Sequence, residues 1–129
     1  HLHNHSQYSV LQATSRIEKM IEKAIDLKMD AVALTDLGNM FGAFKFSKLA
    51  KKHKIKKILG CEFFISEERK KTKFTRDNKD KRHQQILIAK NKEGYNNLSY
   101  LSSIAYTEGL YGQYARIDKT MITQGFLNE

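Results

Sequence analysis

The sequence predicts an α/β fold built on a sheet of buried, parallel strands. Short apolar runs alternate along the chain with stretches in which apolar residues recur every three or four positions. The apolar runs lack a regular polar alternation, which is typical of strands covered on both faces. The strand–helix order is typical of α/β folds. In such folds the ligand-binding residues follow the carboxyl ends of the strands, so those positions are the first candidates for a site.

Helical spacing of apolar residues predicts three helices. Ser15 and Glu18 form a capping-box pattern at the start of the first helix, where the serine oxygen would accept a backbone N–H and the glutamate would reach back. The predicted helices span about 15–28, 41–53 and 94–106, and a last helical fragment runs from Ile117 to Glu129.

Apolar runs without alternation predict three buried strands. A turn is expected at 36–39, and Gly109 and Gly112 are expected to break the chain. The segment 67–82 has eight basic and four acidic residues and is expected to be a surface loop or a short exposed hairpin. The predicted strands span 30–35, 58–65 and 85–89, after an extended opening segment from Leu2 to Val10.

Length and composition indicate one soluble domain. The 129 residues, 40% hydrophobic and 29% charged, are too apolar for a disordered chain and too charged for a membrane protein. No apolar run approaches the ~20 residues that cross a bilayer, and no signal peptide is visible at the start. A single cysteine, Cys61, excludes an internal disulfide framework and favours the cytoplasm. Because the first residue is not Met, we expect an excerpt of a longer chain.

The net charge of +9 favours anionic partners, of which nucleic acid is the commonest. A lysine-rich proteome would give the same balance. The stretch 45–57 holds seven lysines and no acid, and the segment 67–82 has a net charge of +4. These regions would either approach DNA phosphates or form a solvated helix face and a mobile loop. Phe74 is the only aromatic residue among the charges of the loop, so a base-stacking platform is not indicated there.

Potential metal ligands follow the predicted strands. His3 and His5 stand two residues apart, which in an extended segment turns both imidazoles to one face. Glu62 ends the apolar run that opens the second predicted strand, His83 precedes the third strand, and Asp36 follows the first. Three imidazoles and a carboxylate suit Zn, Mn or Fe better than Mg or Ca. Taken alone, the two histidines could equally be a surface pair.

Taken in order, these residues fall in motifs that resemble those of the PHP (polymerase and histidinol phosphatase) superfamily. Further segments resemble the branch of that family found in catalytic α subunits of bacterial replicative DNA polymerase III. The PHP-like motifs lie at residues 1–9, 33–40 and 60–62 and from 83 through 86–91 to 94–98, and the polymerase-like segments lie at 102–111 and 116–118.

The resemblance implies a distorted seven-stranded (β/α) barrel at the N-terminus of a polymerase. Residues 1–129 would be the N-terminal part of that PHP domain, incomplete because such a barrel needs roughly 200 residues or more. His3, His5, Glu62 and His83 match positions of the family's metal cluster at the carboxyl ends of the strands. Members with a full cluster can support 3′–5′ exonuclease or phosphoesterase chemistry, and in others the domain is a structural support.

Two positions depart from the family pattern: Gln12 where Asp is frequent, and Leu37 where His is frequent. Glutamine brings no charge and leucine brings no donor, so we expect a degraded cluster with Zn or Mn as the ion. The expected function is therefore a structural PHP domain, and the alternative is a metal-dependent exonuclease or phosphoesterase. The resemblance places the parent protein in the bacterial cytoplasm and not at a membrane. The parent would act on DNA and deoxynucleotides with Mg as the cofactor, and other replisome subunits would be its protein partners. The carboxylates that polymerise nucleotides would lie outside this chain, so no catalytic residue is assigned here.

Overall fold

The structure is a computed structural model that describes residues 1–123. No helix in this part is long and apolar enough to cross a membrane. The described elements are α1 (Ile17–Asp26), β1 (Ala31–Leu37), α2 (Ala43–Lys52), β2 (Lys56–Ser66), β3 (Arg82–Ile88), α3 (Lys92–Glu108), β4 (Leu110–Tyr111), β5 (Tyr114–Asp118) and α4 (Lys119–Thr123).

The sheet is mixed, with β2 at its centre. One edge of β2 pairs in parallel with β1 along its first part and with β5 along its last part, as the α/β prediction requires. The other edge pairs with β3, which runs antiparallel. A parallel neighbour would need a crossover of a dozen or more residues, usually a helix. The segment 67–81 contains no helix and returns the chain in the opposite direction. The prediction of a third buried parallel strand is therefore wrong: β3 is antiparallel and largely exposed.

Three helices pack against one face of the sheet. Leu34 lies opposite Leu59 and Asp36 opposite Cys61 in the β1–β2 register, so these side chains share a face. Helices α1 and α2 cover the Leu34 end of that face with Ile17, Ile21 and Phe46, and α3 covers the Cys61 end with Leu98 and Leu101. Because strand side chains alternate, Glu62 points to the opposite face.

The predicted helices are present with bounds shifted by a few residues, but the capping box does not form. Arg16 occupies the N-cap of α1 and no side chain caps the helix. The Ser15 carbonyl instead accepts the Gln7 N–H at 2.8 Å, which closes the preceding loop. The last helical fragment was predicted to start at Ile117, but Ile117 and Asp118 end β5 and the helix α4 begins at Lys119. Residues 124–129 lie outside the described residues.

The β4–β5 hairpin was not predicted from the sequence. Its strands are two and five residues long, too short to give a period. Gly112 has a φ of +58°, a backbone angle that glycine adopts without strain, and it makes the tight turn between them. The expected breaks are thus present: Gly109 is the C-cap residue of α3, and Gly112 turns the chain between β4 and β5.

A buried arginine ties the basic segment 67–82 to the sheet. The Arg116 side chain is fully buried on β5. It donates to the carbonyl oxygens of Arg69 at 2.7 Å and Lys71 at 2.8 Å, and it pairs with Asp80 at 3.1 Å. The segment is a loop, as expected, and one buried side chain contacts both of its ends.

Candidate metal centre

Asn4 binds the opening segment to β1. The Asn4 N–H donates to Thr35 Oγ1 at 2.8 Å, and the Thr35 N–H donates to the Asn4 carbonyl at 2.9 Å. The Asn4 side chain also donates to the Ala33 carbonyl at 3.3 Å. These bonds fix the extended backbone on which His3 and His5 flank Asn4, so both imidazoles turn to the same side.

The two imidazoles converge on one carboxylate oxygen. His3 Nε2 lies 2.8 Å and His5 Nε2 lies 2.6 Å from Glu62 Oε2. The two nitrogens are 3.3 Å apart, and the rings meet edge to face. Glu62 is buried, with 6% of its side chain exposed, whereas 21% of His5 and 55% of His3 are exposed. The cluster therefore has a closed floor and one side open to solvent.

These three side chains would hold a single divalent transition ion after a small shift of Glu62, because its Oε2 now lies at hydrogen-bond distances of 2.6 and 2.8 Å from the two nitrogens. The ligand atoms of His3, His5 and Glu62 all lie within 4.8 Å of one another. Two nitrogens bound at ~2.0–2.1 Å to one tetrahedral ion would stand about 3.3 Å apart, which matches the separation of the two histidine nitrogens. Two imidazoles and one carboxylate are donors that Zn and Mn accept, and three protein ligands leave a position for water.

Asp36 does not belong to the cluster and instead anchors the opening loop. Its carboxylate is buried and accepts the Ser6 N–H at 2.6 Å, the Ser6 hydroxyl at 2.7 Å and the Ser9 hydroxyl at 2.7 Å. Ser9 Oγ also accepts the Leu37 N–H at 2.9 Å. Because Ser6 follows His5 directly, this contact holds the histidine in place. The sequence signal for this anchor is the pair Ser6 and Ser9, three residues apart after the two histidines, which was not used in predicting the site.

His83 is not brought to the other three predicted ligands. It lies opposite Ile65 in the β2–β3 register, three positions along β2 from Glu62. An odd number of positions places it on the opposite face of the sheet, and it is exposed there. Among residues 1–123, the only group of three or more potential ligand side chains close enough to share an ion is His3, His5 and Glu62. From the sequence, His83 was expected just before the third predicted strand; in the structure it lies within β3, opposite the last part of β2.

The two positions that depart from the family pattern lie together. Leu37 stands opposite Glu62 in the β1–β2 register, on the same face, so a donor at this position would be next to the cluster. Leu37 and Gln12 both line a cleft of about 280 Å³. Phe41, Tyr106 and other uncharged residues form the rest of that cleft, and it contains no charged group. A second ion would find no anionic ligand there.

The arginines near the basic loop are used in structural ion pairs. Arg69 binds Asp118 and, at 2.5 Å, Glu108, and Arg82 binds Asp80. Lys70 pairs with Glu108 at 3.0 Å. These side chains are held by carboxylates of the same chain, so the net charge of the loop overstates the charge available to an outside partner.

Comparison with known proteins shows the family to which the chain belongs. The PHP domain family model matches residues 1–128, so the chain belongs to the PHP domain family. Similar curated proteins are each named "DNA polymerase III subunit alpha". The chain is 45% identical over 123 residues to the protein of Chlamydia trachomatis, 40% over 124 residues to that of Treponema pallidum and 47% over 119 residues to that of Borreliella burgdorferi. These matches cover 95%, 96% and 92% of this chain but only 10% of each relative, so the chain spans about a tenth of their length.

Proposed function

We propose that this chain is part of the PHP domain of a bacterial replicative DNA polymerase III alpha subunit, in which the domain is a structural support with a reduced metal site. The observation that carries the structural role is the position of Leu37 beside Glu62. An apolar side chain occupies the place next to the one cluster of potential ligands in residues 1–123. Identity of 40–47% with proteins named DNA polymerase III subunit alpha supports the parent.

The finer architecture belongs to the same proposal. Residues 1–129 would form the N-terminal part of a distorted (β/α)7 barrel, with the Glu62 face of the sheet turned to the barrel interior. Ile58, Ile86 and Ile88 share that face by register and are only partly covered. Partly covered apolar side chains on an inward face are what an unclosed barrel would leave.

The metal site would be held by His3, His5 and Glu62, without His83, which lies on the other face of the sheet. A Zn or Mn ion bound there would polarise a water molecule or a phosphoryl oxygen. Glu62 Oε2 accepts from the imidazoles at 2.6 and 2.8 Å, so the carboxylate orients both rings before any ion arrives. The Nε2 protons would have to leave when the nitrogens bind an ion. A charge-free cleft at Leu37 and Gln12 argues against the paired ions that hydrolytic sites hold about 3.5–4 Å apart.

The proposed parent would extend primers on DNA with deoxynucleotides and Mg, in the cytoplasm and with other replisome subunits. The test uses the intact polypeptide that carries this chain. It should extend a primed template with Mg, and truncation or core substitution in residues 1–123 should unfold or dissociate it. Failure to extend a primer would overturn the polymerase assignment.

A zinc titration measured by calorimetry tests the metal site. We expect one ion per chain and a loss of affinity of about 10-fold or more for His5→Ala, which removes one of three ligands, and for Glu62→Gln, which removes the only negative charge among them. His53→Ala, an exposed histidine on the C-cap of α2, is the matched control and should bind zinc as the wild type does. His83→Ala, on the opposite face of the sheet, should likewise leave zinc binding unchanged. Two bound ions, or none, would contradict the proposed reduced site.

The alternative function, a 3′–5′ exonuclease, predicts a different result. The intact polypeptide would then release nucleotides from single-stranded 3′ ends when Mn or Zn is added, and His3→Ala would abolish the release. A structural domain predicts no release that depends on His3.

A further inference from the structure

A groove on the helix-covered side of the sheet, away from the metal cluster, combines exposed aromatic and basic side chains. It has a volume of about 460 Å³ and lies between the start of α2 and the start of α3. Leu59 on β2 lies at its floor, and Phe44 and Tyr95 line it from the two helices. Neither the composition of the sequence nor the metal site explains why exposed aromatic and basic side chains lie together in this groove.

Phe44 is the most unusual residue of the groove. It is 79% exposed, although the other phenylalanine of α2, Phe46, is fully buried in the core. Burying a phenylalanine side chain is worth roughly 1.5–3 kcal/mol, so a ring left in water gives no stability to the fold. Its flat face is available to a planar partner, with the partly buried Tyr95 across the groove.

Three lysines line the same groove. Lys57 comes from β2, and Lys90 and Lys92 flank the N-cap residue of α3. All three are exposed, and within residues 1–123 no ion pair involves them. No acidic residue lines the groove; the nearest acid along the chain is Glu93 in the first turn of α3. The groove is therefore positively charged, and no acidic side chain within it neutralises the three lysines.

The start of α3 adds to this charge in a fixed geometry. Asn91 caps the helix by accepting the Gly94 N–H at 2.9 Å, which holds the backbone between Lys90 and Lys92. The helix has 17 residues, so its amino end carries a partial positive charge that favours anions. The two lysines are thus presented by an ordered turn and not by a mobile tail.

We propose that this groove binds single-stranded DNA, with a base stacked on Phe44 and the adjoining phosphates paired with Lys57, Lys90 and Lys92. Lysines that track a backbone together with an aromatic ring that stacks a base are how single strands are bound without sequence preference. The phosphates are recognised by charge, and the base by its planar face, which a duplex would keep inside its stack. The choice of DNA over RNA rests on the proposed function. Binding of a single strand is inferred from the groove's own side chains.

Photochemical crosslinking in the intact polypeptide tests the proposal. A single-stranded 20-residue oligonucleotide carrying 5-iododeoxyuridine is irradiated with the protein, and the crosslinked peptides are identified by mass spectrometry. We expect crosslinks at Phe44 or Tyr95. Phe44→Ala should lower the yield roughly five-fold or more, since base stacking on an aromatic ring supplies much of such binding. Phe41→Ala is the matched control, because Phe41 is 69% exposed but lines the cleft beside Leu37 and Gln12 and not this groove.

Charge reversal tests the phosphate contacts separately. The triple variant Lys57→Glu, Lys90→Glu and Lys92→Glu should reduce the slope of log affinity against log salt by about 2, for three phosphate contacts on a single strand. The control reverses the exposed Lys73, Lys79 and Lys81 of the basic loop, with the same change in net charge. Thermal melting checks that both variants fold.

Three results would overturn the proposal: equal loss in both triple variants, no crosslink at Phe44 or Tyr95, or stronger crosslinking of duplex or RNA than of single-stranded DNA. None of them touches the zinc titration or primer extension that test the proposed function, so the two can fail independently.

Discussion

The Thr35 hydroxyl and the Asn4 backbone form a reciprocal pair: Thr35 Oγ1 accepts the Asn4 N–H at 2.8 Å and lies 3.1 Å from the Asn4 carbonyl, to which it can donate. Thr35 is fully buried on β1. This contact joins the opening segment to the sheet and places His3 and His5 over Glu62. The candidate site therefore depends on a threonine that is not a ligand.

Thr35→Val should destabilise the chain by about 1–3 kcal/mol, because the partly buried Asn4 N–H loses its acceptor while the side-chain shape is kept. Zinc affinity should fall with it, since the backbone that carries both histidines is released. Chemical denaturation and zinc titration measure the two effects. Thr107→Val, at an exposed position on α3, should change stability by less than about 0.5 kcal/mol. Unchanged zinc binding in Thr35→Val would show that the histidines are held by other contacts.

Asp36→Asn should cost about 2–3 kcal/mol, since the buried carboxylate accepts three hydrogen bonds from Ser6 and Ser9 and an amide nitrogen cannot accept any. Urea denaturation gives the free energy of unfolding. Asp26→Asn, at the exposed end of α1, is the matched substitution and should be nearly neutral. A neutral Asp36→Asn would mean that the loop from Ser6 to Ser15 is held mainly by its own backbone bonds.

Arg116→Lys should destabilise the chain by about 2 kcal/mol or more although it keeps the charge, because lysine cannot reproduce the planar set of donors that reaches Asp80 and the two loop carbonyls. The loop should also open, so chymotrypsin should cleave after Phe74 faster than in the wild type. Arg76→Lys, an exposed position in the same loop, should leave both stability and cleavage unchanged. Slow cleavage in Arg116→Lys would show that the loop is held by Arg69 and Arg82 instead.

Acid should weaken the contact between the loop and α3. Lys70 and then Arg69 hold the pKa of the Glu108 carboxyl below its ordinary value of 4.5. A carboxyl whose pKa is lower in the folded chain stabilises it fully above the ordinary value, and that stability is lost as the pH falls through the lowered pKa. Glu108→Gln should therefore lower the melting temperature at pH 7 and have progressively less effect from about pH 4.5 downward. Thermal melts at stepped pH measure this, and the exposed Glu67→Gln should show no such convergence.

Leu37→His should raise zinc affinity by about 10-fold, because position 37 lies opposite Glu62 on the same face of the sheet and would supply a further imidazole. Leu27→His, an exposed position after α1, adds a histidine away from the site and is the control. Equal gains in the two variants would mean that the added histidine binds zinc on its own, outside the cluster.

The local features of this protein could be predicted from its sequence. Apolar spacing located the three long helices, and the alternation of side chains in an extended segment was enough to turn His3 and His5 to one side. Glu62 was found because it follows an apolar run, and carboxyl ends of strands meet at one edge of a sheet. Each of these inferences uses neighbours within a few positions, where the geometry of one element is sufficient.

The tertiary structure decided what depends on distant contacts. The antiparallel direction of β3 follows from the helix-free return of the chain through 67–81, and it sets the register that puts His83 on the face away from Glu62. Asp36 became an anchor and not a ligand because the loop folds back and brings Ser6 and Ser9 to it. In the sequence, Arg116 is one of 23 basic residues and nothing sets it apart. Its structural role comes from its burial, which lets it bind the loop 67–82. Strand direction, face and burial are set by residues tens of positions apart, which no local pattern records.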